Sequence, residues 1–276
     1  VVVVNRSVTT EALGAGDEDE RRGPRVRMRG APGNDTLVVE GMVPLDADAR
    51  PTRRAVGNPA TYAAHALAES LRRRGITVDG EVRVSFEPVP TAGASRIATW
   101  HSPPLSEIVH GLMRPSQTWI TEHLATPLGA ERGERGSWGE GLDVVEDFLV
   151  EVAGVEEGSV SLSDGSGLSS RNLVAPESLV RLLTFARTQP WGELYYEALP
   201  PAGGDGTLRS RMQELGERVH AKTGTIANVN GLSGYVTTDD GRLLIFSVMT
   251  NATGRSSGVV RSGMDRIVEA VAAGAR

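Results

Sequence analysis

His220-Ala221-Lys222-Thr223-Gly224-Thr225 is the stretch from which the rest of this sequence is read. It ends an apolar, alternating run over 218–225. Two further runs of the same kind follow, 232–238 and 242–250, with Asp240-Gly241 as a turn between the last two. Alternation with period two, broken by turn dipeptides, predicts adjacent antiparallel strands. Beyond them Val260, Met264, Ile267, Val268 and Val271 recur at helical spacing, so the chain closes on an amphipathic helix. Working backwards, three more apolar stripes have helical spacing. They are Leu105, Ile108, Val109 and Leu112; Leu142, Val145, Phe148, Leu149 and Val152; and Leu179, Leu182, Leu183 and Ala186. Helices beside an antiparallel sheet make an α+β fold with helical cover.

Lys222 is the only lysine in a chain with 29 basic residues; every other one is arginine. An ammonium is a compact point charge whose pKa moves with its surroundings, and a guanidinium offers neither property. The exception therefore points to a chemical demand at Lys222, against the bland reading that a single lysine must fall somewhere.

The composition narrows the chemistry. The chain has 276 residues, enough for one large domain or two modest ones. Its net charge of -6 gives no basic excess for a phosphate backbone, which argues against a nucleic-acid partner. No apolar run reaches membrane-spanning length. With no cysteine there are no disulfides, thiol nucleophiles or thiolate metal sites. The five histidines lack ligand spacing, and no phosphate-binding glycine loop appears, so neither a metal nor a cofactor is expected. No G-x-S-x-G elbow is present, which ranks a Ser-His-Asp triad low.

Residues 1–96 read as a separate β-rich region and 97–276 as helices followed by strands. In the first, Val1–Val4, 26–29 and 36–43 are strand-like, and 17–22 is a solvated charged loop. Asn58-Pro59 opens a helix that ends at Gly75. The alternation over 76–86, around Asp79-Gly80, predicts a hairpin, and 87–94 reads as a Pro-rich linker. The start, Val1-Val2-Val3-Val4-Asn5-Arg6, has neither Met nor a signal peptide and reads as a strand entered in mid-protein.

Several ordered motifs together resemble the D-alanyl-D-alanine carboxypeptidase/endopeptidase family of low-molecular-mass penicillin-binding proteins. They are Ser116-Gln117-Thr118, similar to the family's S-x-N; Asp164-Gly165-Ser166-Gly167-Leu168-Ser169; Asp205-Gly206-Thr207-Leu208; Lys222-Thr223-Gly224; and Gly231-Leu232-Ser233-Gly234-Tyr235. The accessory half, with Gly75-Ile76-Thr77-Val78-Asp79-Gly80, looks like the family's inserted region. The resemblance implies a penicillin-binding protein/β-lactamase-like transpeptidase fold, incomplete in this chain, with 1–96 as its inserted accessory region and 97–276 as the C-terminal part of the catalytic domain. It also implies an extracytoplasmic enzyme that cleaves peptidoglycan stem peptides ending in D-Ala-D-Ala through an acyl-enzyme and is inhibited by β-lactams.

The implied site is Ser116 and Lys222 as catalytic residues, with Thr118, Thr223, Gly224, Thr225, Ser166 and Leu168 against the substrate. Three departures accompany it. The family's S-x-x-K, which carries the acylated serine, is absent, because the residue three before the only lysine is Val219. Thr118 stands where the family has Asn, and Ser170 stands where a basic residue often follows G-L-S. These departures keep open a non-catalytic relative that binds peptidoglycan or penicillin; a β-lactamase is a third reading. Bland alternatives stand beside each assignment. Ser116 after Pro115 could be a helix cap, Ser166 and Leu168 part of an ordinary turn, Asp205-Gly206-Thr207 a turn capping a helix, and Trp119 and Ile120 core. His220, two residues before Lys222, shares its strand face as a neighbour of the cleft.

Overall fold

In this computed structural model, residues 2–11, 25–30, 36–49, 55–85, 87, 90–132 and 136–274 are described. They divide into two compact units, Val1–Ile97 and Ala98–Arg276. The charged run at 17–22 lies outside the described residues.

The first unit has strands β1 (Val2–Thr10), β2 (Arg25–Arg29) and β3 (Thr36–Pro44). They form one sheet in the order β1-β3-β2, with β1 parallel and β2 antiparallel to the central strand. Helix α1 (Pro59–Arg73) starts as the sequence dictates. Asn58 Oδ1 accepts from the Thr61 N–H at 3.0 Å, and Pro59 fills the first turn, where no amide partner is needed. The hairpin expected at 76–86 does not form: residues 76–85 hold no strand. Val78, Val82 and Val84 are half-buried, so the alternation records one covered side of an irregular segment.

The second unit opens with α2 (Leu105–Met113), α3 (Thr118–Arg132) and α4 (Trp138–Asp147), the last started by a reciprocal Ser137–Glu140 capping box. The apolar stripe from Leu142 to Val152 continues through a π-turn, Phe148–Val152. Two short strands, β4 (Val160–Ser161) and β5 (Leu173–Val174), pair across the intervening loop. Helices α5 (Pro176–Thr188) and α6 (Gly192–Ala198) follow. Then comes the predicted meander of β6 (Val219–Ile226), β7 (Val229–Thr237) and β8 (Leu243–Asn251), antiparallel in that order, and α7 (Ser257–Ala272) closes the unit.

The pleat sorts the strand residues onto two faces. Val219, Ala221, Leu232 and Val236 pack with Leu208 and with Met264 and Val268 of α7. Tyr235 points the other way, against Leu183 and Leu199, and its hydroxyl donates to the Leu183 carbonyl at 2.7 Å. Leu232 and Val236 are fully buried, each contributing about 1.5–3 kcal/mol by burial. A side chain at Gly234 has no room: a Cβ there would stand 2.2 Å from the His220 carbonyl oxygen. Among the described residues no helix is long and apolar enough to cross a membrane.

Candidate active site

The eight residues singled out in the sequence line one cleft of about 940 Å³ in the second unit: Ser116, Thr118, Ser166, Leu168, Lys222, Thr223, Gly224 and Thr225. Strand β6 supplies its floor. Lys222 stands opposite Ser233 in the β6–β7 register, on the face of the sheet away from α7. Its Nζ donates to Ser116 Oγ at 2.8 Å and to the Thr223 carbonyl at 3.0 Å. Burial pushes the Lys222 ammonium below the ordinary lysine range, which raises the share of neutral amine.

Ser116 is held for this contact rather than for capping. It has φ +58°, a left-handed conformation rare outside glycine, and lies two residues before the first residue of α3. Its hydroxyl receives the lysine proton donor, so the helix-cap reading is corrected. Trp119, expected in the core, is 62% exposed and donates to Gln117 Oε1 at 3.0 Å. Ile120 is half-buried.

The Asp164–Ser169 loop forms the wall next to the far end of β6, where Asp164, Gly165 and Gly167 share a smaller hollow with Gly224, Thr225 and Ile226. Asp164 organises it. Its carboxylate accepts from the backbone N–H groups of Gly167 (2.7 Å), Leu168 (3.1 Å) and Ser169 (2.6 Å) and from Asn172 Nδ2 (2.8 Å). Asn172 Oδ1 in turn accepts from Ser163 N–H at 2.6 Å. Burial raises the Asp164 pKa, but the bonds from Asn172, Gly167 and Ser169 outweigh it and hold the carboxyl below its usual range. Ser166 and Leu168 are therefore both turn residues and cleft residues.

The opposite wall is the Asp205-Gly206-Thr207 turn, which caps no helix. Thr223 Oγ1 donates to Thr207 Oγ1 at 2.9 Å, and Arg114 pairs with Asp205 while donating to the Glu197 carbonyl at 2.8 Å. Arg114 thus ties the turn before Ser116 to the turn that supports Thr223. Neither Arg114 nor Asn172 was singled out in the sequence, because their roles arise from contacts that no spacing rule encodes. His220 is 5% exposed and outside the cleft lining, stacked on Tyr196 with ring centroids 4.2 Å apart and bonded to Glu217 at 3.0 Å. It braces the strand beneath Lys222 instead of bordering the cleft.

Gly224 differs in kind from Gly234. A Cβ added at Gly224 meets nothing within 4 Å and would project into open space. The protein's own packing does not demand glycine there.

The sequence matches the D-Ala-D-Ala carboxypeptidase 3 (S13) family over residues 21–272. It is 38% identical over 226 residues to a D-alanyl-D-alanine carboxypeptidase of Actinomadura sp. (strain R39), covering 79% of this chain and 42% of that protein. With the D-alanyl-D-alanine carboxypeptidase DacB of Haemophilus influenzae it shares 31% identity over 217 residues, 77% of this chain and 44% of the relative. The crystal structure of penicillin-binding protein 4 from H. influenzae, complexed with a β-lactam, superposes with a TM-score of 0.72 at 25% identity, covering 98% of this chain and 61% of that one. The chain spans less than half the length of these two curated relatives. Its fold is the α+β fold of the penicillin-binding proteins.

Proposed function

The chain belongs to the D-Ala-D-Ala carboxypeptidase 3 (S13) family, and from that premise we propose that it supplies most of the substrate cleft of a serine-type D-Ala-D-Ala carboxypeptidase. Such an enzyme acts on peptidoglycan stem peptides on the outer side of the cytoplasmic membrane, with DD-endopeptidase action as a variant of the same chemistry. The observation that carries this reading is the 2.8 Å bond from Lys222 Nζ to Ser116 Oγ, made at the floor of a cleft shared with Thr118, Ser166, Thr223 and Thr225.

In this reading the nucleophile is a serine hydroxyl from residues outside these 276. Its oxygen forms a bond to the penultimate D-alanine carbonyl carbon, and the peptide C–N bond breaks. The serine proton passes to the leaving amine through Ser116 Oγ, with Lys222 as the neighbouring relay. Burial lowers the Lys222 pKa and so favours that exchange. The backbone N–H just after Gly224 stabilises the oxyanion. Thr223 and Thr225 bind the terminal carboxylate, and Gly224 leaves the ligand room to lie against the strand. Water then cleaves the ester. The β-lactam complex of the H. influenzae relative supports β-lactams as ligands of this cleft.

One observation favours a second reading, a penicillin- or peptidoglycan-binding protein without turnover. Thr118 lines the cleft where the family motif has Asn, and it lacks the amide that donates and accepts at once. Fluorescent-penicillin labelling and D-alanine release from a D-Ala-D-Ala peptide, measured together on the longest natural form, separate the two. Labelling with release supports the carboxypeptidase, and labelling without release supports the second reading.

A further inference from the structure

Beyond Thr207 the cleft continues past Arg209, Ser210, Arg211 and Arg261. These three guanidiniums are not equivalent. Arg211 is neutralised: its Nε and Nη2 donate to Asp265 of α7 at 3.0 and 2.6 Å. Arg209 and Arg261 are exposed, and among the described residues neither forms an ion pair; Arg261 spends only its Nε, on the Ser257 carbonyl. The Arg211–Asp265 bond also explains why both line one cleft. It fastens the segment carrying Arg209 to α7, and Arg261, four residues before Asp265, lies one turn along on the same helix face, about 6 Å away.

Position along β6 says which part of a ligand reaches them. The Asp164–Ser169 loop borders the strand at Gly224, Thr225 and Ile226, while Thr207 borders it at Thr223. With the oxyanion N–H just after Gly224, the acyl side of a peptide runs toward Ser166 and Leu168. The leaving residue, its terminal carboxylate held by Thr223 and Thr225, extends its side chain past Thr207 toward Arg209 and Arg261.

We propose that Arg209, Ser210 and Arg261 form an outer anion subsite, which takes a second carboxylate carried on the leaving-group side of the scissile bond. The subsite rests on the carboxypeptidase reading for its direction and gives the cleft a preference for leaving groups more acidic than D-alanine. Two unpaired guanidiniums on the lining of one cleft repel each other, and a carboxylate taken between them relieves that repulsion while accepting hydrogen bonds from both.

The test uses the longest natural form and two N-acylated peptides of equal size, ending in D-Ala-D-glutamate or D-Ala-D-glutamine. The expected kcat/KM ratio favours glutamate by about five- to tenfold at low salt, because the pair is solvent-exposed, and shrinks as sodium chloride is raised. In the double variant R209Q/R261Q the ratio falls to near one. A ratio near one in the unmodified protein, or an unchanged ratio in the double variant, overturns the subsite. If neither these peptides nor a D-Ala-D-Ala control is hydrolysed, the carboxypeptidase reading fails on its own. The ratio of the two peptides' dissociation constants, by calorimetry, then decides the subsite by the same criterion.

Discussion

The two three-stranded sheets among the described residues use similar strand lengths and very different burial. In the first unit only β2 alternates; among the residues of β1, β2 and β3 only Pro44 is buried, and Val2, Val3 and Val8 of β1 are largely exposed. In the second unit Val219, Ala221, Leu232, Tyr235 and Val236 are at or near zero exposure, with helices on both faces. The difference teaches where rigidity is needed. Lys222 and Thr223 sit on a strand whose alternate residues are locked into a core, so their positions are set by packing. The described residues that line the cleft belong to the second unit.

The sharpest way to break this comparison is a matched pair of truncations. Leu232→Ala is expected to cost about 2–5 kcal/mol and Val3→Ala less than about 0.5 kcal/mol, read as shifts in denaturant midpoint. Equal costs would mean that the two sheets are equally stabilising. A second pair separates packing from ligand space inside the β6–β7 hairpin. Gly234→Ala should destabilise by about 1–3 kcal/mol by forcing the His220 and Ala221 backbone aside. Gly224→Ala should leave the melting temperature within about a degree and slow penicillin labelling of the longest form. A lowered melting temperature for Gly224→Ala would remove the ligand-space argument.

The Asp164 loop gives an intermediate effect. Asp164→Ala removes a carboxylate that accepts three backbone bonds and should cost about 2–3 kcal/mol, together with slower labelling. The sign of its pH dependence follows from its lowered pKa. The stability that Asp164 contributes is present above the ordinary carboxyl value and is lost as pH falls through the lower folded value. The smallest effect is expected from Thr118→Asn. Supplying the amide of the family motif should raise D-alanine release several-fold with little change in stability, and no gain would remove Thr118 as support for the reading without turnover.

Much of the second unit was legible because each signal was local. Period-two runs gave β6, β7 and β8, period-3.6 stripes gave α2, α4, α5 and α7, and an unmatched lysine marked Lys222. The hairpin over 76–86 failed because alternation records one covered side, not a pairing partner. Trp119 misled because an aromatic residue in a helix is not thereby buried; its indole is satisfied by Gln117 at the surface. Arg114, which reaches Asp205 across 91 positions, and Asn172, which closes the loop on Asp164, belong to tertiary structure. So do the unpaired charges of Arg209 and Arg261, which depend on Asp265 having been taken by Arg211.

The measurement closest to the central claim is acylation by a fluorescent penicillin, run side by side on residues 1–276, on the longest natural form and on that form carrying Lys222→Ala. The account predicts labelling of the long form alone, reduced by at least about a hundredfold in the variant, which at about 1.4 kcal/mol per factor of ten is nearly 3 kcal/mol of lost transition-state stabilisation. Labelling of residues 1–276 by themselves, or full labelling of the Lys222→Ala form, would contradict it.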